Sequence, residues 1–570
     1  MASKTQVADP LAEVALNLHD ARTSERKKVF DPIWQDLANY CLPQSSDIQV
    51  EKTEGVVGWT DEIYDSTAIQ SNLTCAAGHR NWCTPSNEKW LAFLPPDLLP
   101  DKDAAAPWYA NCTDIALAAL LQSNFYTTIH EYYLERGGFG TGAIIAEPGK
   151  RTSLSFYKLQ AGTYCIQEDD EYFVDTLSRD LLLSARQAVL KFGLQNVSDK
   201  VAKAYEATDR KSMDRQFKFV HEIRPRDPEE RDFRKKDPEN MPYSSLYVDV
   251  EARQVVRNSG YEEQPFMVSR FLRWGKTPYG FSPMVVALPN VRELNFVVRF
   301  MDALAELRAN PRLLIPQSLK GDVDLRAGGI TTFDENNPNG KPQEWMTEGD
   351  FDIGEKLVLM KQQAVKEAFF VDLFNMMAQY QDKRMTAEEV RARMSEKLEQ
   401  FSPAFDRLTT ELLNPLLRRV FGLLWRGGHF PPPPAAVMVA AGPRMQSPAL
   451  PQIQYTSRIA LQLRSMRNRA FMETMQVIGQ IGQQRPEVYD NFDIDKGVRG
   501  YAIDQGLNPD LVRPMEGRGG VIDIRKERLK QQQQAQALEA AQAAAKAGKD
   551  LGKAPKQIQD RMMAGMPGGN

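Results

Sequence analysis

The sequence predicts an α+β protein that is mostly helical, and three observations support this prediction. Apolar residues recur every three or four positions through much of the first 135 residues, as in amphipathic helices. Between about residues 152 and 271 the period becomes that of strands, and long helical patterns return from residue 290. At about 150 residues per domain, the 570 residues suggest three or four structural units.

Helices are predicted first along the chain. The pattern that begins at Leu11 continues until Pro43 ends it, because the residue before a proline avoids the helical conformation. Residues 73–82 and 115–135 continue this pattern. Strands follow, separated by turns and by one helix near residues 184–192. The predicted strands are residues 153–157, 216–223, 245–250 and 266–272.

Two long helices are predicted in the second half of the chain. Residues 290–309 form the first, and at 1.5 Å per residue they would span about 30 Å. Residues 355–380 form the second, about 39 Å long. Between them, residues 311–354 are predicted to form short strands, and they contain eight acidic and four basic residues. The apolar stripe of the first helix consists of Val291, Leu294, Val298, Met301 and Ala305.

A third long helix is predicted to begin with a capping box. The Thr386 side chain can bond the amide of Glu389, while the Glu389 side chain reaches back to the amide of Thr386. Pro403 and Pro415 are expected to kink or break this helix. The sequence then predicts a strand and a further helix, at residues 452–456 and 457–481.

The charge is distributed unevenly. The formal net charge is −4 and the pI about 6.0, which excludes a globally basic nucleic-acid coat but allows local patches. Residues 525–561 contain nine basic and four acidic residues, a composition that suits either a long exposed helix or disorder. No stretch approaches the ~18 apolar residues of a membrane-spanning helix, and no apolar signal-peptide core is found, so neither is predicted.

Two motifs resemble nucleotide-binding loops but depart from them. Gly275, Lys276 and Thr277 end a Walker-type sequence, yet Arg270 stands where its first glycine belongs. Residues 138–143 fit G-x-G-x-x-A, but they follow a helix and enter a strand, the reverse of a dinucleotide-binding fold. The second motif is predicted to be a glycine-rich helix exit, and no nucleotide cofactor is expected.

The cysteines and histidines give one metal-like pattern. Cys75, His79 and Cys83 would lie along one helix face, but a closed zinc site needs a fourth ligand, which is not identified. The small and apolar neighbours favour a buried core face, so no metal is expected. The five cysteines are odd in number and none forms a C-x-x-C pair, which indicates a reducing compartment.

Short sequence blocks form an ordered pattern over most of the chain, from about residue 20 to 530. Each block is weak by itself, but their joint occurrence in this order is specific. The blocks are LP at 42–43, IYDSTA at 63–68, AAG at 76–78, YGFSP at 279–283, LN at 294–295, GGI at 328–330, TAEEV at 386–390 and ELLNPL at 411–416. This order resembles the head-to-tail connecting, or portal, proteins of short-tailed bacteriophages.

The resemblance implies a portal fold assembled as a ring, usually of twelve subunits, at one capsid vertex. It implies a wing, a stem, a clip, a channel-facing tunnel loop and a crown or C-terminal helical barrel. In that order along the chain, the implied parts are wing 1–289, first stem helix 290–310, clip 311–354, second stem helix 355–380, tunnel loop 381–386, wing 387–484 and crown or tail 485–570.

Candidate channel residues follow from these assignments. Lys383 and Arg384, with Gln381, would face DNA from the tunnel loop, although the two cations could equally solvate a helix junction. An acidic clip would reduce adhesion of the DNA phosphates by repulsion. The clip carboxylates are Asp322, Asp324, Asp334, Glu335, Glu344, Glu348, Asp350 and Asp352.

The implied function is a structural DNA conduit without its own catalysis. The partners would be further copies of the chain, double-stranded DNA bound without sequence preference, the terminase, a tail adaptor and capsid or scaffold proteins, with no membrane. The protein would reside in the virion, and in the host cytoplasm during assembly. Two alternatives stay open: a DNA-processing or NTP-driven enzyme with an unrecognised site, and a virion or tail protein that forms no ring.

Overall fold

The fold was examined in a computed structural model, whose residues group into two compact units. The first comprises Met1–Leu98 and Trp108–Met466, and the second comprises Leu99–Pro107 and Arg467–Asn570. Both helices and strands are present, so the predicted α+β class is confirmed. The structure describes residues 9–49, 63–207, 210–232, 235, 237–310, 312–315, 317, 330, 332, 343–345, 351–378, 387–442, 445–504, 512–513, 515 and 520–551.

The chain begins with two helices, α1 (Pro10–Cys41) and α2 (Thr67–Cys83). Asp9 caps α1 by accepting a hydrogen bond from the amide of Leu11 at 3.1 Å, and Pro10 occupies the first turn, where no amide donor is needed. Helix α1 ends just before Pro43, as predicted.

The predicted helix at 115–135 is two helices, α3 (Lys102–Gln122) and α4 (Phe125–Phe139), which follow strand β1 (Leu91–Leu94). Asn124 explains the break, because its side chain donates to the carbonyl of Phe156 and accepts from the amide of Phe156. These bonds join the turn to the neighbouring strand. The periodicity of the sequence carries no information about such a long-range partner.

A three-stranded antiparallel sheet follows α4. Its order is β3 (Leu154–Leu159), β2 (Thr141–Pro148) and β9 (Phe266–Arg270). Gly140 ends α4 with φ = +83°, a left-handed conformation that favours glycine. The predicted glycine-rich helix exit is therefore confirmed.

A five-stranded antiparallel sheet forms the centre of the first unit. Its order is β4 (Tyr164–Glu168), β5 (Val174–Ser184), β6 (Gln216–Pro225), β7 (Tyr243–Asp249) and β8 (Gln254–Tyr261). Helices α5 (Ala185–Phe192), α6 (Asp199–Glu206) and α7 (Arg210–Asp214) lie between β5 and β6 in the chain. Phe219 packs against α5 and α6, whereas Val220 packs against α1, so both faces of the sheet are covered.

The next segment is a helical pair with a small strand pair between its members. A hairpin of β10 (Leu272–Arg273) and β11 (Gly280–Phe281) leads into α8 (Pro283–Ala309). Strands β12 (Arg312–Leu314) and β13 (Gln343–Trp345) pair antiparallel. Helices α9 (Phe351–Ala368) and α10 (Val371–Ala378) follow.

The single helix predicted at 355–380 is thus wrong, because the chain breaks between α9 and α10. Phe370 adopts φ = +57°, which a helix cannot accommodate. Its ring packs 5.4 Å from that of Phe401 and 6.2 Å from that of Phe271. Contacts between aromatic rings distant in sequence hold this break, so local periodicity could not predict it.

The remaining elements are mainly helical. Helix α11 (Ala387–Arg407) passes through Pro403 into a π-helical turn, Leu408–Leu413, and then α12 (Asn414–Arg426). The predicted capping residue Thr386 lies outside the described residues. Further along the chain are β14 (Met438–Gly442), β15 (Met445–Pro448), β16 (Gln452–Tyr455), α13 (Arg458–Gly482), α14 (Ile494–Asp504) and α15 (Val521–Leu551). Of the two alternatives for the tail, a helix with largely exposed side chains is found over α15.

Candidate functional site

Helix α8 is the longest element of the predicted stem. Ser282 accepts a hydrogen bond from the amide of Val285 at 3.1 Å, and Pro283 occupies the first turn. These two signals start the helix at residue 283 rather than at the predicted 290. Its 27 residues extend about 40 Å at 1.5 Å per residue.

Helix α9 packs along α8. Gly354 allows the close approach, since a Cβ atom there would lie 2.2 Å from the Met301 sulfur. Lys361 Nζ lies 2.5 Å from Glu293 Oε2 and donates to Asn290 Oδ1 at 3.2 Å. Helices α8 and α9 are thus joined by close packing and by polar contacts.

The central part of this helical pair is fixed to the residues that precede α2. Asn295 Oδ1 accepts hydrogen bonds from the amides of Tyr64 and Asp65, at 2.8 and 3.0 Å. Gln362 Nε2 donates to Asp65 Oδ2 at 2.8 Å. Both helices therefore share one polar anchor, and the LN block at 294–295 contains its central residue.

Helix α8 is apolar on two opposite faces. Of the predicted stripe, Val291 and Leu294 are buried, Val298 and Met301 are half-buried, and Ala305 is exposed. On the outward face, Phe296 and Phe300 are 68% and 64% exposed, and their rings stack with centroids 6.3 Å apart. Val286 continues this face at 55% exposure. Sequence reasoning missed the outward face, although the four-residue spacing of Phe296 and Phe300 was a usable signal.

The metal-like triplet lies in the core, as predicted. Cys75, His79 and Cys83 are all buried, and the ring of His79 packs 5.2 Å from that of Tyr133. His79 Nδ1 lies 2.8 Å from the carbonyl of Cys75 and must be the donor there, which leaves Nε2 to accept from Arg136. Burial raises the pKa of the Cys75 thiol to about 12. Thiols are held protonated here, whereas metal ligands are thiolates.

The Walker-like residues form a hairpin turn. Gly275, Lys276 and Thr277 connect β10 to β11, and the hydroxyl of Thr277 donates to the carbonyl of Trp274 at 2.7 Å. Gly275 has φ = +58°, which suits a tight turn. No helix follows this loop directly, so it lacks the amide cradle of a phosphate-binding loop.

Comparison with known proteins decides the family. The profile of the family described as bacteriophage head to tail connecting protein matches residues 15–512. This chain belongs to that family. A probable portal protein of Bordetella phage BPP-1 is 30% identical over 511 residues, covering 88% of each chain. The portal protein of Salmonella phage epsilon15 is 28% identical over 540 residues, covering 93% of this chain and 94% of that protein.

The family assignment gives this head-to-tail connecting protein a phage portal function. Portals are structural proteins of the virion, and this agrees with the expectation of a chain without its own catalysis. Among the described residues, no helix combines the length and hydropathy needed to cross a bilayer.

Two of the predicted channel and clip residues of this connector lie in the described part of the chain. Glu344 lies on β13, opposite Leu313 of β12. Asp352 is exposed in the first turn of α9, where a carboxylate is favoured by the helix dipole. The predicted residues outside the described part of the chain are Gln381, Lys383, Arg384, Asp322, Asp324, Asp334, Glu335, Glu348 and Asp350.

Proposed function

We propose that this portal protein assembles as a closed ring of identical subunits that conducts double-stranded DNA at one capsid vertex. The observation that carries the proposal is the outward face of α8, formed by Val286, Phe296 and Phe300. A helix that is apolar on opposite faces is normally buried on both. In the separate chain this face is exposed. Contact with another copy would remove it from water.

The occupant of this face is the neighbouring subunit's α9. Its exposed residues include Ile353, Leu359 and Met360, which are 64%, 58% and 58% exposed. An interface between two different surfaces is heterologous, and repetition of such an interface produces a ring when the rotation closes. The same pair of helices thus supplies both halves of the contact. Twelve copies is the number that the family resemblance suggests.

The parts of the ring follow the resemblance. Residues 290–310 of α8 and residues 355–380 serve as the stem, residues 311–354 as the clip, residues 381–386 as the tunnel loop, and residues 485–570 as the crown or tail. The wing consists of the segments on either side of the stem. Eight acidic residues against four basic ones give the clip a net charge of −4, which opposes adhesion of DNA phosphates during transport.

This role implies a sequence of partners. The ring would dock the terminase during packaging and the tail adaptor afterwards, with capsid or scaffold proteins around it. Assembly would take place in the host cytoplasm. Lys383 and Arg384 would steady the duplex through its phosphates and would not read bases.

Negative-stain microscopy of the purified chain tests ring assembly. Rings with a central hole are expected for the unmodified protein, and Phe300→Asp should shift them to monomers because it places a charge in the apolar contact. Ala305→Asp is the matched control, since Ala305 is exposed about 140° away around α8. Filaments, monomers of the unmodified chain, or rings that tolerate Phe300→Asp would contradict the proposal.

Two further measurements address the conduit. Deleting residues 381–384 should impair packaging or DNA retention while rings still form, and unchanged packaging would count against a lumen role. ATP turnover by the purified chain would favour the alternative of an NTP-driven enzyme.

A further inference from the structure

A row of polar residues crosses four strands of the five-stranded sheet. Arg179 on β5 is paired with His221 on β6, His221 with Tyr247 on β7, and Tyr247 with Arg257 on β8. Directly paired residues on neighbouring strands project from the same face of a sheet. Arg179 and Arg257 therefore project from the same face of this sheet, separated by the rings of His221 and Tyr247.

Two lysines add to this row. Lys191, near the end of α5, places Nζ 4.8 Å from the centroid of the Tyr247 ring. Burial lowers the pKa of Lys191; among the charged neighbours, Glu147 raises this pKa, whereas Arg179, Arg257 and Lys150 lower it. We call Lys150, Arg179, Lys191 and Arg257 the cationic cluster.

The cationic cluster has little negative charge to balance it. Glu147 is close enough to raise the pKa of Lys191, but its carboxylate also accepts a hydrogen bond from Tyr261 at 3.0 Å. Within the described part of the chain, no salt bridge joins any of the four cations to a carboxylate. Glu147 is thus shared between Tyr261 and the cations.

The inner end of the cluster is buried. Arg179 is 7% exposed, and a buried arginine is normally paired with a carboxylate. Its Nε instead donates to His221 Nδ1 at 3.2 Å, so His221 Nε2 carries the proton and donates to Ser245 Oγ at 3.0 Å. Burial and the three nearby cations lower the pKa of His221 well below its usual value. His221 is therefore neutral and cannot compensate Arg179.

We propose that the cationic cluster is a binding site for a phosphate-type oxyanion. Arginine suits this role because its planar group donates two parallel hydrogen bonds to phosphate, and lysine adds a mobile point charge. Arg257 and Lys150 are exposed, so the site is open to solvent. The anion could be a small phosphate-bearing ligand or a backbone phosphate of DNA. The site does not depend on ring assembly.

Binding measurements on the full-length protein test this site. Isothermal titration with inorganic phosphate and fluorescence anisotropy with a short DNA duplex are compared between the unmodified chain and the double variant Lys191→Ala, Arg257→Ala. The control is Arg186→Ala with Lys203→Ala, which removes two exposed cations from α5 and α6. Arg179 is left intact because its loss could prevent folding, and thermal melting verifies that both variants fold.

The expected result is at least fivefold weaker phosphate binding in the cluster variant and unchanged binding in the control. If the cluster variant loses phosphate binding but still binds the duplex, the ligand is a small phosphate-bearing molecule. Loss of duplex binding, with a salt dependence reduced by about two phosphate contacts, assigns the DNA backbone. Equal behaviour of the cluster variant and the control with both probes, or no binding of either probe, overturns the site.

Discussion

Glu411 accepts hydrogen bonds from three nitrogen atoms of Arg270. Its Oε2 receives the backbone amide at 2.7 Å, and its Oε1 receives Nε at 3.2 Å and Nη2 at 2.6 Å. Arg136 adds two further hydrogen bonds. Its Nη2 donates to the carbonyl of Arg270 and to the carbonyl of Ala404. The π-helical turn that carries Glu411 is thereby joined to strand β9.

The first prediction concerns this ion pair. Glu411→Ala should lower the free energy of unfolding by about 3 kcal/mol, because it removes three hydrogen bonds from Arg270, a 2%-exposed cation that keeps Glu168 as its remaining carboxylate partner. Urea denaturation measures the effect. The control is Glu13→Ala, which removes an exposed partner 3.9 Å from Arg253 and should cost less than about 1 kcal/mol. Similar losses for both variants would show that burial does not govern the pair.

The second prediction is a pH dependence caused by His79. Burial and the Arg136 guanidinium lower its pKa from 6.5 to about 3. Between these values the unfolded chain binds a proton that the folded chain does not, so stability decreases as pH falls, by about 1.4 kcal/mol per pH unit. His79→Phe should remove this slope between pH 6 and 4.

Denaturation at several pH values provides the test for His79. His429→Phe, which removes an exposed histidine, is the matched control. Parallel stability profiles for His79→Phe and the unmodified chain would contradict the assigned role.

The third prediction concerns the close approach of Gly140 and Gly280. A Cβ atom on residue 140 would lie 2.5 Å from the carbonyl oxygen of Gly280. In addition, the φ of Gly140 is already unfavourable for alanine. Gly140→Ala should cost about 1–2 kcal/mol for the backbone conformation and about 1–3 kcal/mol more for the displaced backbone. Gly428→Ala isolates the first contribution, because Gly428 has φ = +68° and open space around it. Equal losses of thermal stability in Gly140→Ala and Gly428→Ala would show that the steric contact with Gly280 adds no cost.

The fourth prediction addresses the polar anchor near the middle of α8. Asn295→Ala removes the acceptor for the amides of Tyr64 and Asp65, and should cost about 1–3 kcal/mol. Hydrogen exchange of these two amides should become faster. Asn295→Asp keeps an acceptor oxygen and should preserve most of their protection. Unchanged exchange in Asn295→Ala would contradict the anchor.

Several features could be predicted from the sequence because they depend on neighbouring residues. The stripe that includes Val291 and Leu294 predicted the buried face of α8, and the glycines after α4 predicted its left-handed exit at Gly140. The alternation of apolar residues predicted the strands near 216–223 and 245–250. Capping, periodicity and turn residues act within a few positions, so one sequence contains them.

The tertiary structure decided what depends on residues distant in the chain. Phe370 separates α9 from α10 because of its contacts with the rings of Phe271 and Phe401, and Asn124 divides a predicted helix by bonding to Phe156. Arg179 and Arg257 lie in one row only because three strand pairings align them. Local patterns carry no information about these partners, since register and packing are set by the whole fold.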